Sequence, residues 1–149
     1  MCKSCFLFGH ADTPHSILPV LEAAVEKHHF NYGIYHFYIG NRGNFDRLAA
    51  TAVMRVKQRH PDIRMYLLLA YHPAERPVDL WDGFDGSYYP PLENTPRQYA
   101  IVRANQYMVD HSDCLICYAR HIGNTRNLLE YAQRRQKAPH LIIENLAEE

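Results

Sequence analysis

Hydrophobic and polar positions run along this chain in two rhythms, and the order in which they take turns predicts the fold. Cys5-Phe6-Leu7-Phe8 is a short run apolar on both faces and closed by Gly9-His10, which reads as a buried strand and a turn. Ile17, Leu18, Leu21, Ala24 and Val25 then recur at the helical period to about His28, with Ser16 placed to cap the helix. Residues 34–39 are aromatic and β-branched and stop at Gly40; a helical pattern follows from about Phe45 to Arg59 through Leu48, Ala49, Ala52, Val53 and Val56. Pro61 ends that helix, and residues 63–71 predict a third strand. From His72 to Thr95 no period is usable, and Pro73, Pro77, Pro90 and Pro91 interrupt the chain. With Trp81, Tyr88 and Tyr89 it is too aromatic for a disordered segment, and reads as an irregular insertion acting as a lid or subunit contact. After Pro96 a helix is expected to about His111 with Tyr99, Val102 and Val109 inward, then a strand over 114–118, a helix from Thr125 to Gln136 and a strand from His140 to Ile143.

Strands that are apolar on both faces and alternate with helices are the signature of a parallel sheet buried between helical layers. The expected fold is therefore α/β: a Rossmann-like doubly wound, mostly parallel five-stranded sheet with helices on both faces. A length of 149 residues suits a single domain with one sizeable core. In such sheets ligands bind beyond the carboxyl ends of the strands, near the point where strand order reverses. That rule selects the loops to inspect.

Lysine plus arginine equals aspartate plus glutamate, 16 each, so no global basic field supports direct nucleic-acid or anionic-membrane binding. No apolar stretch approaches the roughly 18 to 20 residues of a membrane span, and Met1 to Ser4 leads straight into a strand, so a cytoplasmic location is expected. Cys2/Cys5 and Cys114/Cys117 have CxxC spacing. Residues three apart on a strand point to opposite faces, however, so Cys114 and Cys117 cannot grip one ion and read as reduced core thiols, with only the terminal Cys2 free to react. No metal and no cofactor is expected.

The most informative of the selected loops is Gly40-Asn41-Arg42-Gly43-Asn44-Phe45-Asp46, which follows a strand and opens a helix. Glycines permit positive φ and close approach of a ligand, and the free amides and positive end of a helix suit an anion. Arg42 and Arg47 offer charge-assisted bonds to phosphate, while Asn44 or Asp46 can cap the helix or bond a ribose hydroxyl. The same residues also fit a tight turn with a helix cap. Two further junctions, Gly9-His10-Ala11-Asp12 and Arg120-His121-Ile122-Gly123-Asn124-Thr125, are placed to face the same cleft; with ten histidines in the chain, His10 and His121 stand out by position alone.

Phe6 to His10, Gly40 to Asp46 and Asn105 to Asp113, in this order, resemble the SLOG superfamily, particularly its small stand-alone members; that superfamily includes the DNA-processing protein Smf/DprA and the Lonely Guy phosphoribohydrolases. The resemblance implies a Rossmannoid fold that binds nucleotides or nucleotide-derived ligands, often as a homo-oligomer. It implies less about catalysis. The Lonely Guy enzymes carry Pro-Gly-Gly-x-Gly-Thr-x-x-Glu at the fourth strand-helix junction, where the glutamate serves N-glycosidic cleavage. Here, matching on Thr125 puts Leu128 at that glutamate, matching on Gly123 puts Asn127 there, and Glu130 lies two positions past Leu128, roughly 200° further round the helix. The family's arginine before the Asn of Asn-x-x-Met-Val-Asp is also displaced, since Ala104 stands there with Arg103 one place earlier.

Three functions follow. The first is binding or sensing of a phosphate-bearing, nucleotide-derived ligand, with phosphate on the Gly43 to Phe45 amides beside Arg42 and Arg47, and base or ribose against Gly9, His10 and Gly123 to Thr125. The second is hydrolysis or transfer at a nucleoside or nucleotide N-glycosidic bond, with Asp46 as carboxylate and His10 or His121 as acid/base. The third is a protein-interaction module using the 72–95 segment.

Overall fold

The computed structural model describes residues 3–80, 82–92, 94–135 and 141–147. Among the described residues six strands form one sheet: β1 (Lys3–Gly9), β2 (Ile34–Ile39), β3 (Arg64–Leu68), β4 (Gly86–Tyr88), β5 (Cys114–Tyr118) and β6 (Ile142–Asn145). Their spatial order is β4-β3-β2-β1-β5-β6, and every neighbouring pair is parallel. The chain thus builds outward from β1 on one side, returns, and builds outward again from β5, so the order reverses between β1 and β5. The crossovers among the described residues are made by α1 (Leu18–Tyr32), α2 (Asn44–Arg59), α3 (Ala100–His111) and α4 (Asn124–Arg135). No helix among the described residues is long and apolar enough to cross a membrane.

Strand alternation divides the core in two. Cys5 and Leu7 of β1 pack with Leu21 and Val25 of α1 and Val53 and Val56 of α2, while Phe6 and Phe8 face Met108 and Val109 of α3 and Leu128 and Leu129 of α4. Cys114 and Cys117 fall on opposite faces for the same reason, and with Cys5 they are buried in the core.

The sheet has six strands rather than five because Gly86-Ser87-Tyr88, inside the segment expected to be irregular, adds a parallel edge to β3. Backbone and charge hold it there. Leu69 donates to the Tyr88 carbonyl, Asp85 donates to the Met65 carbonyl, and the Asp85 carboxylate accepts the Met65 amide and pairs with Lys57. Burial works to raise the Asp85 pKa, but Lys57 and that amide outweigh it and hold the carboxyl below its usual range.

Helix boundaries differ where polar residues are buried. Ser16 caps nothing: it sits in a 3₁₀ turn, His15–Ile17, and α1 starts at Leu18 with Pro19 in its first turn. The helix then runs past His28 to end at Gly33, whose φ of 66° suits a residue without a Cβ. His28 is buried because its Nε2 meets Glu144 Oε1 at 2.7 Å, and His29 because its Nδ1 meets the Ile34 carbonyl at 2.7 Å. In α3 the inward positions are Ala100, Ala104, Met108 and Val109, whereas Tyr99 and Val102 are 52% and 47% exposed. The 3₁₀ turn Arg97–Tyr99 that precedes α3 shifts its phase away from the expected one. Of the remaining sequence expectations, Cys2, Trp81, Gln136 and His140 lie outside the described residues.

Asn145 extends the sheet beyond its last paired residue. Its side chain accepts from the Ala119 amide at 3.0 Å and donates to the Ala119 carbonyl at 3.0 Å, standing in for one more ladder rung. Asn145→Ala is expected to cost about 1–3 kcal/mol by leaving both groups without that partner. Urea denaturation measures it; an unchanged midpoint would show that the rung contributes nothing.

Candidate functional site

A cavity of about 560 Å³ opens at the carboxyl edge of the sheet, between the end of β1 and the loops that follow β2 and β5. It lies at the strand-order reversal, where a doubly wound sheet leaves a crevice. Two glycines hold its floor together. A Cβ on Gly9 would come within 2.4 Å of the Phe45 ring, which is fully buried beneath it. A Cβ on Gly43 would come within 2.5 Å of Ala11 Cα, at the point where the Asn44 amide donates to the Ala11 carbonyl at 3.0 Å. Close approach, rather than positive φ, is therefore what these positions require: Gly43 is extended, at φ −176°, and neither Gly40 nor Gly43 has a positive φ. Gly123, at the third junction, does have one, at 152°.

Asp46 stands in the first turn of α2 and turns back on its own loop. Its Oδ2 accepts the Arg42 amide at 2.7 Å, and the Gly43 amide faces the same carboxylate. Burial lifts its pKa to about 6, against the opposing pull of these amides and of the Arg42 charge. Of the Gly43 to Phe45 amides expected to cradle phosphate, that of Gly43 is directed at Asp46 and that of Asn44 at Ala11, while the Arg42 amide beside them also goes to Asp46. The N-terminus of α4 differs: it has no acidic residue in its first turn, and its first intrahelical bond runs from the Asn127 amide to the Gly123 carbonyl. Asn124 and Thr125, ahead of that bond, line the cavity, and their amides have no intrahelical partner.

His10 is nearly buried, and its ring is fixed by two backbone donors. Nε2 accepts the Arg120 amide at 2.8 Å and the His121 amide at 3.3 Å, so the proton of the neutral ring sits on Nδ1. Burial, and next the neighbouring His121, lower its pKa despite the opposing Asp12, which keeps the ring neutral near pH 7. The His121 ring stacks on it at 3.7 Å between centroids, with its Nε2 3.3 Å from Asp12 Oδ1. Ligating atoms of His10, Asp12 and His121 lie within 4.8 Å of one another, close enough for one ion. The His10 Nε2 lone pair is already committed to two amides, however, which suits His10 better to donating from Nδ1 than to ligating metal or to accepting a proton at Nε2.

The three expected junctions do meet. Gly9, His10, Gly40, Arg42, Gly43, Asp46, His121, Gly123, Asn124 and Thr125 all line the cavity. Four expected site residues do not. Phe45 is core, the Asn44 side chain donates to the Thr13 carbonyl at 3.4 Å, and Asn41 and Arg47 are exposed off the cavity. The far wall is apolar, from Leu68, Ala70, Ile101, Ala104 and Leu128, with Asn105 as its polar member. Asn105 opens the 105–113 stretch singled out by resemblance and Ala104 stands just before it, but Leu68, Ala70 and Ile101 gave no signal beyond belonging to core elements. Leu128 is buried in that wall, and Glu130 is exposed away from it, so α4 brings no carboxylate to the cavity.

Fold and crevice together define a Rossmann-like α/β domain with a cavity at its topological switch point. No family model matches the chain, and no curated protein does. Among solved structures it is similar to that of the Moco carrier protein from Chlamydomonas reinhardtii, at a TM-score of 0.53 and 13% identity over 96% of this chain and 89% of that one. The likeness is one of fold.

Proposed function

We propose that this chain binds a phosphate-bearing, nucleotide-derived small molecule in the cavity at the switch point, as a SLOG-type binding or carrier domain. One observation carries the reading: three polar strand-helix junctions converge on a cavity whose opposite wall is apolar, the combination that suits a flat heterocycle with a charged tail. In this reading the anion sits at the N-terminus of α4, where Asn124 and Thr125 line the cavity and no acidic residue stands in the first turn, rather than on the Gly43 to Phe45 amides, which are largely taken up by Asp46 and Ala11. Leu68, Ala70, Ile101 and Leu128 face the heterocycle, with the His10 Nδ1–H and Asn105 to fix its edge. That a protein of this fold is named as a carrier of Moco supports binding without turnover. Titration calorimetry with nucleoside mono- and diphosphates should show micromolar to millimolar binding, weakened by Thr125→Pro, which removes an amide at a helix position that tolerates proline. Absence of heat across the panel would remove the reading.

A second reading, N-glycosidic hydrolysis, draws on Asp46, a cavity-lining carboxyl with a pKa near the working range of a general acid. It requires free base to appear when the protein is incubated with nucleoside monophosphates, and to stop appearing in Asp46→Asn.

A further inference from the structure

Tyr71, just past the end of β3, carries three guanidinium groups around one ring. The Cζ of Arg76 lies 3.9 Å from the ring centroid, that of Arg97 5.6 Å and that of Arg42 6.0 Å. They arrive from three separate places: the loop after β2, the segment after β3 and the turn that leads into α3. Like charges gathered this closely repel, and a fold with no use for them would interleave carboxylates. Here Glu75 pairs with Arg97, but among the described residues no carboxylate forms an ion pair with Arg42 or Arg76; Asp46 accepts the Arg42 backbone amide and acts on the Arg42 charge only through its field. The ring face offsets part of the repulsion and holds the guanidinium groups in place.

The cluster adjoins the cavity through Arg42. Arg42 lines the cavity itself, as do Ala70, the neighbour of Tyr71, and Ile101, one turn beyond Arg97. In sheet order it lies on the β3 side, with β2 and β1 between it and the α4 terminus. The planar forks of Arg42 and Arg76, which no carboxylate pairs, match the oxygens of phosphate, and their two charges match a terminal phosphate dianion.

We infer that Arg42, Arg76 and Arg97, mounted on Tyr71, form a second anion subsite that takes the far end of a di- or triphosphate chain. The ligand class is then a nucleoside di- or triphosphate rather than a monophosphate. The nucleoside half of that statement rests on the proposed function; the subsite itself is read with an inorganic probe. At low ionic strength, where surface charge is least screened, calorimetry with tripolyphosphate and with orthophosphate is compared between the parent protein and Arg76→Ala/Arg97→Ala. The parent should bind tripolyphosphate at least about tenfold more tightly than orthophosphate, and the double variant should lose at least about tenfold of that affinity. Both side chains are exposed, so the variant should keep the parent's thermal midpoint. Arg76→Lys, which keeps the charge but loses the fork, should fall in between. Equal tripolyphosphate affinity in parent and double variant, or no tripolyphosphate binding by the parent, overturns the subsite. Tripolyphosphate binding without any nucleotide binding would keep the subsite and remove the nucleotide reading alone.

Discussion

Asp46→Asn is expected to be more stable than the parent protein at pH 7.5, and the advantage should vanish below about pH 4. The Asp46 carboxyl is buried, with its folded pKa lifted to about 6. A raised carboxyl pKa means that the fold prefers the protonated form. The parent's stability from this group is therefore full below the unfolded value near 3.9 and is lost as pH rises toward 6, where ionisation must occur inside the protein. A separation of about two pKa units corresponds to about 3 kcal/mol, an upper bound on the gain because the asparagine accepts the Arg42 amide less strongly. Denaturant midpoints of both proteins at pH 4, 5, 6 and 7.5 measure the effect. Curves that stay parallel across this range would mean that the buried carboxylate costs the fold nothing.

Gly43→Ala should be among the most damaging conservative changes in the chain. The added methyl would lie 2.5 Å from Ala11 Cα and 2.6 Å from Ala11 Cβ, and backbone on both sides cannot rotate away as a flexible side chain would. Relief requires the first and second junctions to separate, which breaks the Asn44–Ala11 bond and widens the cavity floor. Overpacking of this kind costs about 1–3 kcal/mol, and a clash with main chain belongs at or above the top of that range. Gly33→Ala makes the control: its φ is 66°, but no atom lies within 4 Å of the new Cβ, so only the left-handed conformation is penalised, at about 1–2 kcal/mol. Hydrogen exchange at the Asn44 amide separates the two, because only the Gly43 variant should accelerate it. If both variants leave that amide equally protected, the two junctions are not held by close approach at this point.

The order of strands and helices was legible because it depends on local runs: Cys5 to Phe8 and Cys114 to Tyr118 are apolar on both faces whatever surrounds them. What escaped depends on distant partners. Gly86-Ser87-Tyr88 has no alternation of its own and becomes a strand through Met65, Leu69 and Lys57. His28 reads as the polar end of a pattern, yet it and His29 are buried because Glu144 and the Ile34 carbonyl meet them. The meeting of the three cavity junctions follows from topology, and so could be anticipated. Arg76 and Arg97 could not, since nothing in their neighbourhood marks them until Tyr71 draws them to one ring. The occupied amides of the second junction were half visible: an aspartate in the first turn of a helix competes with any phosphate for the same donors.

β1 sits at the centre of the sheet, and its partner on one side, β5, begins more than a hundred residues later. A nascent chain can pair β1 with β2 early, but until residues 114–118 leave the ribosome the other edge of β1 stays bare, an apolar strand with unpaired amides. The same late segment leads to His121 and the start of α4, so the cavity closes in the step that covers this edge. A chain halted before β5 would thus lack one wall of its cavity and would offer a sticky edge to its neighbours, which makes aggregation the expected fate of truncated copies.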